Sequence, residues 1–265
     1  MSSIPEFFWL VPLGFLAGGY GTLIGAGGGF ILAPTLLLIY PGEAPETLTV
    51  ISLSVVFFNS LSGTLAYLRS GRIEFKSGLI YALATMPGAV LGALMTAAIS
   101  RARFNLVFGI LLIVVAVFLG VNPRSKSLVT MAHAGGDAKR QLNPATMLIG
   151  AAVSTIFGFI SSFLGIGGGF LYVPALVYLM KFPVHVATAT SLFVLTLTSL
   201  TGSVTHFAAG LFDHGFRQAI GLSIGAIVGA QIAARLSRHI HGDWIIRSLA
   251  VALAVVGLRL VVLAL

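Results

Sequence analysis

The sequence predicts an all-α integral membrane protein made of two inverted four-segment repeats, each opening with a glycine-broken, re-entrant helix. Three observations predict it. Hydrophobic residues make up 57% of the chain and charged residues only 8%, the two halves resemble each other, and Lys and Arg are distributed unevenly among the connections. Soluble domains carry about 25% charged residues, so a chain of this composition belongs in a bilayer.

Apolar runs separated by short polar stretches cover Phe7–Tyr40, Leu48–Leu68, Gly78–Ile99, Phe104–Val121, Ala145–Met180, Val186–Ala209, Phe216–Leu236 and Trp244–Leu265. Six of these match the roughly 20 residues that span hydrocarbon. The first is too long for a cleaved signal peptide, and its flank MSSIPEF has no basic residue, so it is expected to remain in the mature protein. The chain has no cysteine, which excludes disulfides, thiolate metal sites and cysteine nucleophiles. The net charge of +8 comes from basic residues placed singly or in pairs at segment ends, where cytoplasmic loops collect them. Its expected partner is the lipid bilayer and not nucleic acid.

The repeat begins with GAGGGFILAP at Gly25–Pro34, which matches GIGGGFLYVP at Gly165–Pro174 in six of ten positions. Further on, Ser52–Gly63 aligns with Ser191–Gly202 and Gly92–Arg101 with Gly229–Arg238, at offsets of 140, 139 and 137. This divides the chain into a first repeat, 1–121, a connector, 122–143, and a second repeat, 144–265. Internal repeats of this kind are common in transporter folds.

Phe7–Tyr40 and Ala145–Met180 exceed one span but fall short of two spans and a turn. Three consecutive glycines each cost roughly 1 kcal/mol against alanine in a helix, so both segments are expected to break there and return to their own side. Non-helical backbone at membrane depth is tolerated where protein or a water-filled cavity surrounds it. Charge counting favours this reading. With returning segments, Arg69, Arg72, Lys76, Arg124, Lys126, Lys139, Arg140, Lys181, Arg235, Arg238 and Arg247 share one side. Only Arg101, Arg103, Arg217 and Arg259 lie towards the other. With crossing segments the bias nearly vanishes, against the positive-inside rule. Three crossings per half then make the repeats inverted, the connector cytoplasmic and both termini extracytoplasmic.

The helices after the glycines would aim unsatisfied N–H groups and a partial positive charge at the tips, with Pro34 and Pro174 in or near their first turns. The backbone of Gly27, Gly28, Gly29, Gly167, Gly168 and Gly169 is therefore a candidate anion site, since no Cβ blocks the approach. Close packing between helices is the competing use of such glycines. Asn59, Ser60 and Ser62 in the second segment correspond to Thr198, Ser199 and Thr201 in the sixth, and Ser52 to Ser191. Two uses fit these residues: convergence on one cavity to complete an oxyanion's coordination, or interhelical and back-bonding hydrogen bonds. His206, opposite Tyr67 in the repeat, is a possible proton-linked group or a structural histidine. Gln231 and Asn105 are expected to pack, and Arg259 to snorkel. No carboxylate lies within a span.

The two G-x-GGG-F-x-x-P elements, Ala189-Thr190-Ser191-Leu192 with its counterpart Val50-Ile51-Ser52-Leu53, and the PGAVLGA run at Pro87–Ala93 resemble the TauE/SafE family of bacterial permeases for sulfite and organosulfonates. The likeness runs over essentially the whole chain. One departure is Ile224 in the second-half IGAIVGA, where the first half has Pro87. The resemblance implies a multi-pass protein of the bacterial inner membrane that exports a small sulfur oxyanion, most simply sulfite, without a cofactor. A passive anion channel and an exporter of an organosulfonate or sulfoacetate remain open alternatives, as does a monomer or a homodimer. The spans contain no HExxH, paired carboxylates or Ser-His-Asp set, so neither catalysis nor a metal site is expected.

Overall fold

The computed structural model describes residues 5–121, 144–180, 182–210, 215–237 and 242–264. The connector, with the expectations attached to it, lies outside the described residues. The first half comprises α1 (Pro5–Ile24), α2 (Gly29–Ile39), α3 (Pro45–Leu68), α4 (Phe75–Thr96) and α5 (Arg101–Val121). The second comprises α6 (Pro144–Leu164), α7 (Gly169–Pro174, continued by a π-helical turn at Ala175–Leu179), α8 (Val184–Ala208), α9 (Phe216–Leu236) and α10 (Gly242–Ala264). Among the described residues six helices are long and apolar enough to cross a membrane: α3, α4, α5, α6, α8 and α9.

Helix limits follow from local chemistry. Pro45 begins α3, where its missing N–H costs nothing. The Glu74 carboxylate accepts from the Ser77 N–H at 2.6 Å and caps α4. Gly71 and Gly210 end α3 and α8 with left-handed φ of 64° and 69°. Pro34 and Pro174 stand in the second turn of their helices rather than the first, six residues into α2 and α7 counted from Gly29 and Gly169. There the absent N–H forfeits a helical bond, and the π-helical turn follows directly after Pro174.

The halves interlock by exchange. Helix α1 packs on α9 and α6 on α4, α3 packs on α8, and α5 on α10, so each contact has a counterpart with the halves swapped. These symmetric contacts are consistent with an inverted repeat. Small residues bring the paired backbones together: a methyl at Gly18 would stand 2.6 Å from the Ala226 Cα, and methyls at Gly88 and Gly229 would collide with the backbones of Thr155 and Phe15. Ridges of Leu79, Leu83, Leu91 and Leu94 on α4 and of Ile220, Ile224, Ile227 and Ile232 on α9 are left exposed. Such surfaces suit lipid tails.

The structure corrects the alignment of the last segments. Helices α4 and α9 begin 141 residues apart, as do α5 and α10. Gly88 lies on Thr155 and Phe159 as Gly229, not Gly225, lies on Phe15 and Gly19. The offset of 137 is thus one helical turn out. A small residue recurs every four positions in both stretches, so the match slides by a turn without losing its glycines. The residue opposite Pro87 is Val228, and the interface forms without a proline there.

Candidate functional site

Both glycine runs fold into the same turn. Gly25, Gly27 and Gly28 have φ of 76°, 72° and 79°, and Gly165, Gly167 and Gly168 have 72°, 78° and 74°. Three of the four glycines in each G-x-GGG thus occupy left-handed backbone, which costs a side chain roughly 1–2 kcal/mol. The fourth is needed for proximity. A methyl at Gly169 would stand 2.5 Å from the Gly25 carbonyl oxygen and 2.6 Å from the Ala26 Cα, and one at Gly29 would collide with the Ile166 carbonyl. The two turns therefore meet backbone to backbone at the centre of the molecule, fully buried.

After each turn the chain doubles back. Tyr20 and Phe30 bring their rings to 6.3 Å and Trp9 and Tyr40 to 6.4 Å, so α2 retraces α1. In the second half Phe157 meets Tyr172 at 5.2 Å, the Tyr172 hydroxyl donates to the Ser154 carbonyl at 3.2 Å, and a methyl at Gly150 would stand 2.6 Å from the Met180 Cε. The free face of the glycines is covered by Val56 and Leu195, an equivalent pair on α3 and α8: a methyl at Gly27 would lie 2.6 Å from Leu195 and 3.1 Å from Val56. The sequence did not single out these two side chains. Their signal was their place, one turn after Ser52 and Ser191 in the aligned stretches.

The paired polar residues, for which two uses were open, make hydrogen bonds to separate partners. Asn59 donates from Nδ2 to Thr22 Oγ1 at 3.1 Å, whereas Thr198 pairs with Thr85 Oγ1 at 2.9 Å. Ser60 and Ser199 donate back to the carbonyls of Phe57 and Leu195, at 3.2 and 2.5 Å. Ser62 donates to the Ile227 carbonyl and accepts from Gln231 Nε2 at 2.9 Å, while Thr201 back-bonds to the Leu197 carbonyl. Side chains one residue apart on a helix diverge by about 100°, and Asn59 and Ser60 accordingly take different partners. Ser191 Oγ donates to the Gly25 carbonyl at 2.8 Å and so touches a glycine turn directly. Ser52 and His206 are fully buried without a partner for Ser52 Oγ or for either ring nitrogen of His206. Arg259 is exposed on α10.

Two further contacts fix which helix ends lie together. Arg72 Nη1 donates to Ser237 Oγ at 3.5 Å, and the Glu74 N–H donates to Thr190 Oγ1 at 3.1 Å. At another corner the Arg101 guanidinium closes the C-terminal end of α2, donating to the carbonyls of Leu37, Pro41 and Glu43 at 2.5, 2.9 and 2.6 Å. Among the described residues no group of three or more His, Cys, Asp or Glu is placed to hold a metal ion.

Two interlocked helical halves with a pair of buried glycine turns between them define a polytopic membrane protein of the transporter class. Comparison with known proteins is specific. Residues 10–260 match the family described as sulfite exporter TauE/SafE, and the chain belongs to that family. It is a membrane transporter and not an enzyme. It is 33% identical over 269 residues to the probable membrane transporter protein YunE of Bacillus subtilis, covering 97% of each chain. A probable membrane transporter protein of Methanocaldococcus jannaschii is 28% identical with 96% of each chain covered. Another, from Sinorhizobium sp, is 30% identical over 92% of this chain and 90% of the relative. No solved structure matches the sequence.

Proposed function

We propose that the protein is an inner-membrane carrier that exports a small sulfur oxyanion, most simply sulfite, by alternating access around the paired glycine turns. The observation that carries this reading is the contact of the two turns at the centre of the molecule, each followed by a helix N-terminus where N–H groups favour negative charge. In this reading the backbone of Gly27, Gly28, Gly29, Gly167, Gly168 and Gly169 borders the anion, with donors from the N–H groups the turns leave unpaired, and Ser52, Asn59, Ser60, Ser191, Thr198 and Ser199 line the surroundings. The cover of Val56 and Leu195 must move for the anion to reach the Gly27 and Gly167 faces. A site sealed in this conformation supports a carrier over an open channel.

The same reading makes each broken segment re-entrant and the repeats inverted. The Arg72–Ser237 contact supports it. If α1–α2 and α6–α7 return to their own sides, the end of α3 and the end of α9 lie on one face of the membrane, and the start of α8 joins them. If each broken segment crossed, Arg72 and Ser237 would lie on opposite faces, 30 Å of hydrocarbon apart by the usual bilayer thickness of about 30 Å. The positive-inside rule then makes that face cytoplasmic.

Two helix ends offer about +0.5 charge each, which suits a compact anion of low charge. Proteoliposomes are therefore expected to take up labelled sulfite and to exchange it in counterflow, with small sulfonates competing and sulfate and phosphate competing poorly. Strong inhibition by sulfate with none by sulfite refutes this account of the site. Single-channel currents without counterflow identify a passive channel instead, and preference for sulfoacetate or another sulfonate identifies that substrate.

A further inference from the structure

The two glycine turns have the same backbone conformation but unequal polar surroundings. At the first turn the polar groups are paired. Gly25 N–H donates to the Thr22 carbonyl at 3.2 Å, and the N–H groups of Ala26 and Gly27 both donate to the Gly21 carbonyl, at 2.7 and 3.1 Å. Thr22 Oγ1 bonds Asn59, the Tyr67 hydroxyl donates to the Thr22 carbonyl at 3.5 Å, and Ser191 bonds Gly25.

At the second turn one of the three backbone bonds remains among the described residues, from the Ile166 N–H to the Ser161 carbonyl at 3.1 Å. The counterparts of Thr22, Asn59, Tyr67 and Ser191 are Ser162, Thr198, His206 and Ser52. Thr198 is too short to reach across as Asn59 does and bonds Thr85 instead. His206 holds the station from which Tyr67 meets Thr22, fully buried and with both ring nitrogens unpaired. Ser162 Oγ, beside Gly202, is unpaired, and so is Ser161 Oγ, which stands where the first half has Gly21 and lies 3.1 Å from a methyl built at Gly168. Thr49 abuts Gly165 as Thr188 abuts Gly25, so Ser52, one turn on from Thr49, holds the station from which Ser191 reaches its turn, yet its hydroxyl has no partner.

Four fully buried side chains around one turn thus present unpaired polar atoms, a state that native proteins avoid. The replacement of Asn and Tyr by Thr and His withdraws side-chain reach from the neighbourhood of Ser162. All four side chains can donate while neutral, three through hydroxyls and one through a ring N–H. Neutral donors without a cation or a carboxylate suit a small oxyanion.

We propose that Ser52, Ser161, Ser162 and His206 form an asymmetric resting site for the transported oxyanion beside the second glycine turn. The inference rests on the transport reading above and adds to it the side of the molecule on which the anion is held. It also ranks the two turns: the anion rests beside the second and not beside the first.

The test is calorimetric titration of sodium sulfite into the purified full chain, with methanesulfonate as a second probe and transport of sulfite in proteoliposomes measured alongside. Ser162→Ala is expected to weaken sulfite binding by about 10-fold or more, the usual effect of one hydrogen bond to a charged group. His206→Tyr copies the first half, where the Tyr67 hydroxyl meets the Thr22 carbonyl. It is expected to unfold at the same temperature as wild type or higher while losing binding. Tyr67→Phe, which removes the mirror hydroxyl, is expected to bind within about twofold of wild type. Wild-type transport together with unchanged binding by Ser162→Ala and His206→Tyr overturns the asymmetric site and leaves the transport reading standing. A wild-type protein that neither binds nor transports either probe overturns both.

Discussion

Replacement of Gly169 by alanine isolates the contact between the two turns. The residue lies outside the left-handed positions, so alanine meets no backbone strain there and the effect is one of proximity. The added methyl would stand 2.5 Å from the Gly25 carbonyl oxygen and 2.6 Å from the Ala26 Cα, against an optimum of about 3.5 Å for non-bonded atoms. The turns must separate by about 1 Å. Both obstacles are backbone, so no side chain can rotate away, and overpacking of this kind costs about 1–3 kcal/mol. The gain of alanine over glycine in helix propensity offsets at most about 1 kcal/mol of it.

Gly169→Ala is therefore expected to lose about 2 kcal/mol of stability, read by denaturant unfolding in detergent micelles. Gly29→Ala attacks the same contact from the other side, against Ile166. Once one methyl has parted the turns the second meets less resistance, so the double variant should lose less than the sum of the two. A Gly169→Ala protein as stable as wild type refutes the contact between turns, and strict additivity refutes the idea that both substitutions act on one interface.

Single cysteines introduced into this cysteine-free chain at Ser2 and Leu265 are expected to react with an impermeant maleimide on whole cells, and one at Ser127 only after permeabilisation; the reverse pattern overturns the inverted arrangement. Gly28→Val and Gly168→Val, each a branched side chain at left-handed φ, are expected to abolish transport in protein that still inserts, and retained transport by either folded variant would reduce its turn to a packing device. Arg101→Gln removes charge-assisted bonds to the carbonyls of Leu37, Tyr40, Pro41 and Glu43 at the end of α2 and is expected to cost about 2 kcal/mol in the same unfolding assay. Arg101→Lys should recover only part of that, because an ammonium lacks the guanidinium fork.

Much of the fold was legible because the bilayer restricts the options. Phe216–Leu236 is a helix with the limits its apolar run predicted, and the glycine runs end helices in both halves for the conformational reason their residue type implies. Register and side-chain partnership were not legible. The slip of α9 by one turn came from glycines spaced four apart, a pattern that fits itself equally well one turn away. The partners of Asn59 and Thr198 were not legible because equivalent residues need not do equivalent work: one reaches Thr22 and the other Thr85. Val56 and Leu195 stood out poorly for the opposite reason: two more aliphatic residues in a sequence with 57% hydrophobic content carry no signal beyond their place one turn after Ser52 and Ser191.

A perfectly symmetric pair of halves would hold an anion on the axis between the turns, and on that axis this molecule has Val56 and Leu195. Apolar side chains there favour separation of the two sides of the membrane over binding. Alternating access needs both properties, a seal and a site, and one position cannot serve both in the same conformation. Divergence of the repeats resolves the conflict. In the proposed mechanism the shared features, four glycines per turn and the aliphatic pair, maintain the seal. The features that differ, Tyr67 against His206, Asn59 against Thr198 and Gly21 against Ser161, are those that leave polar atoms unpaired on one side only. In the proposed mechanism the backbone of the repeat provides the two-state frame, and the substrate is recognised where the repeat is broken.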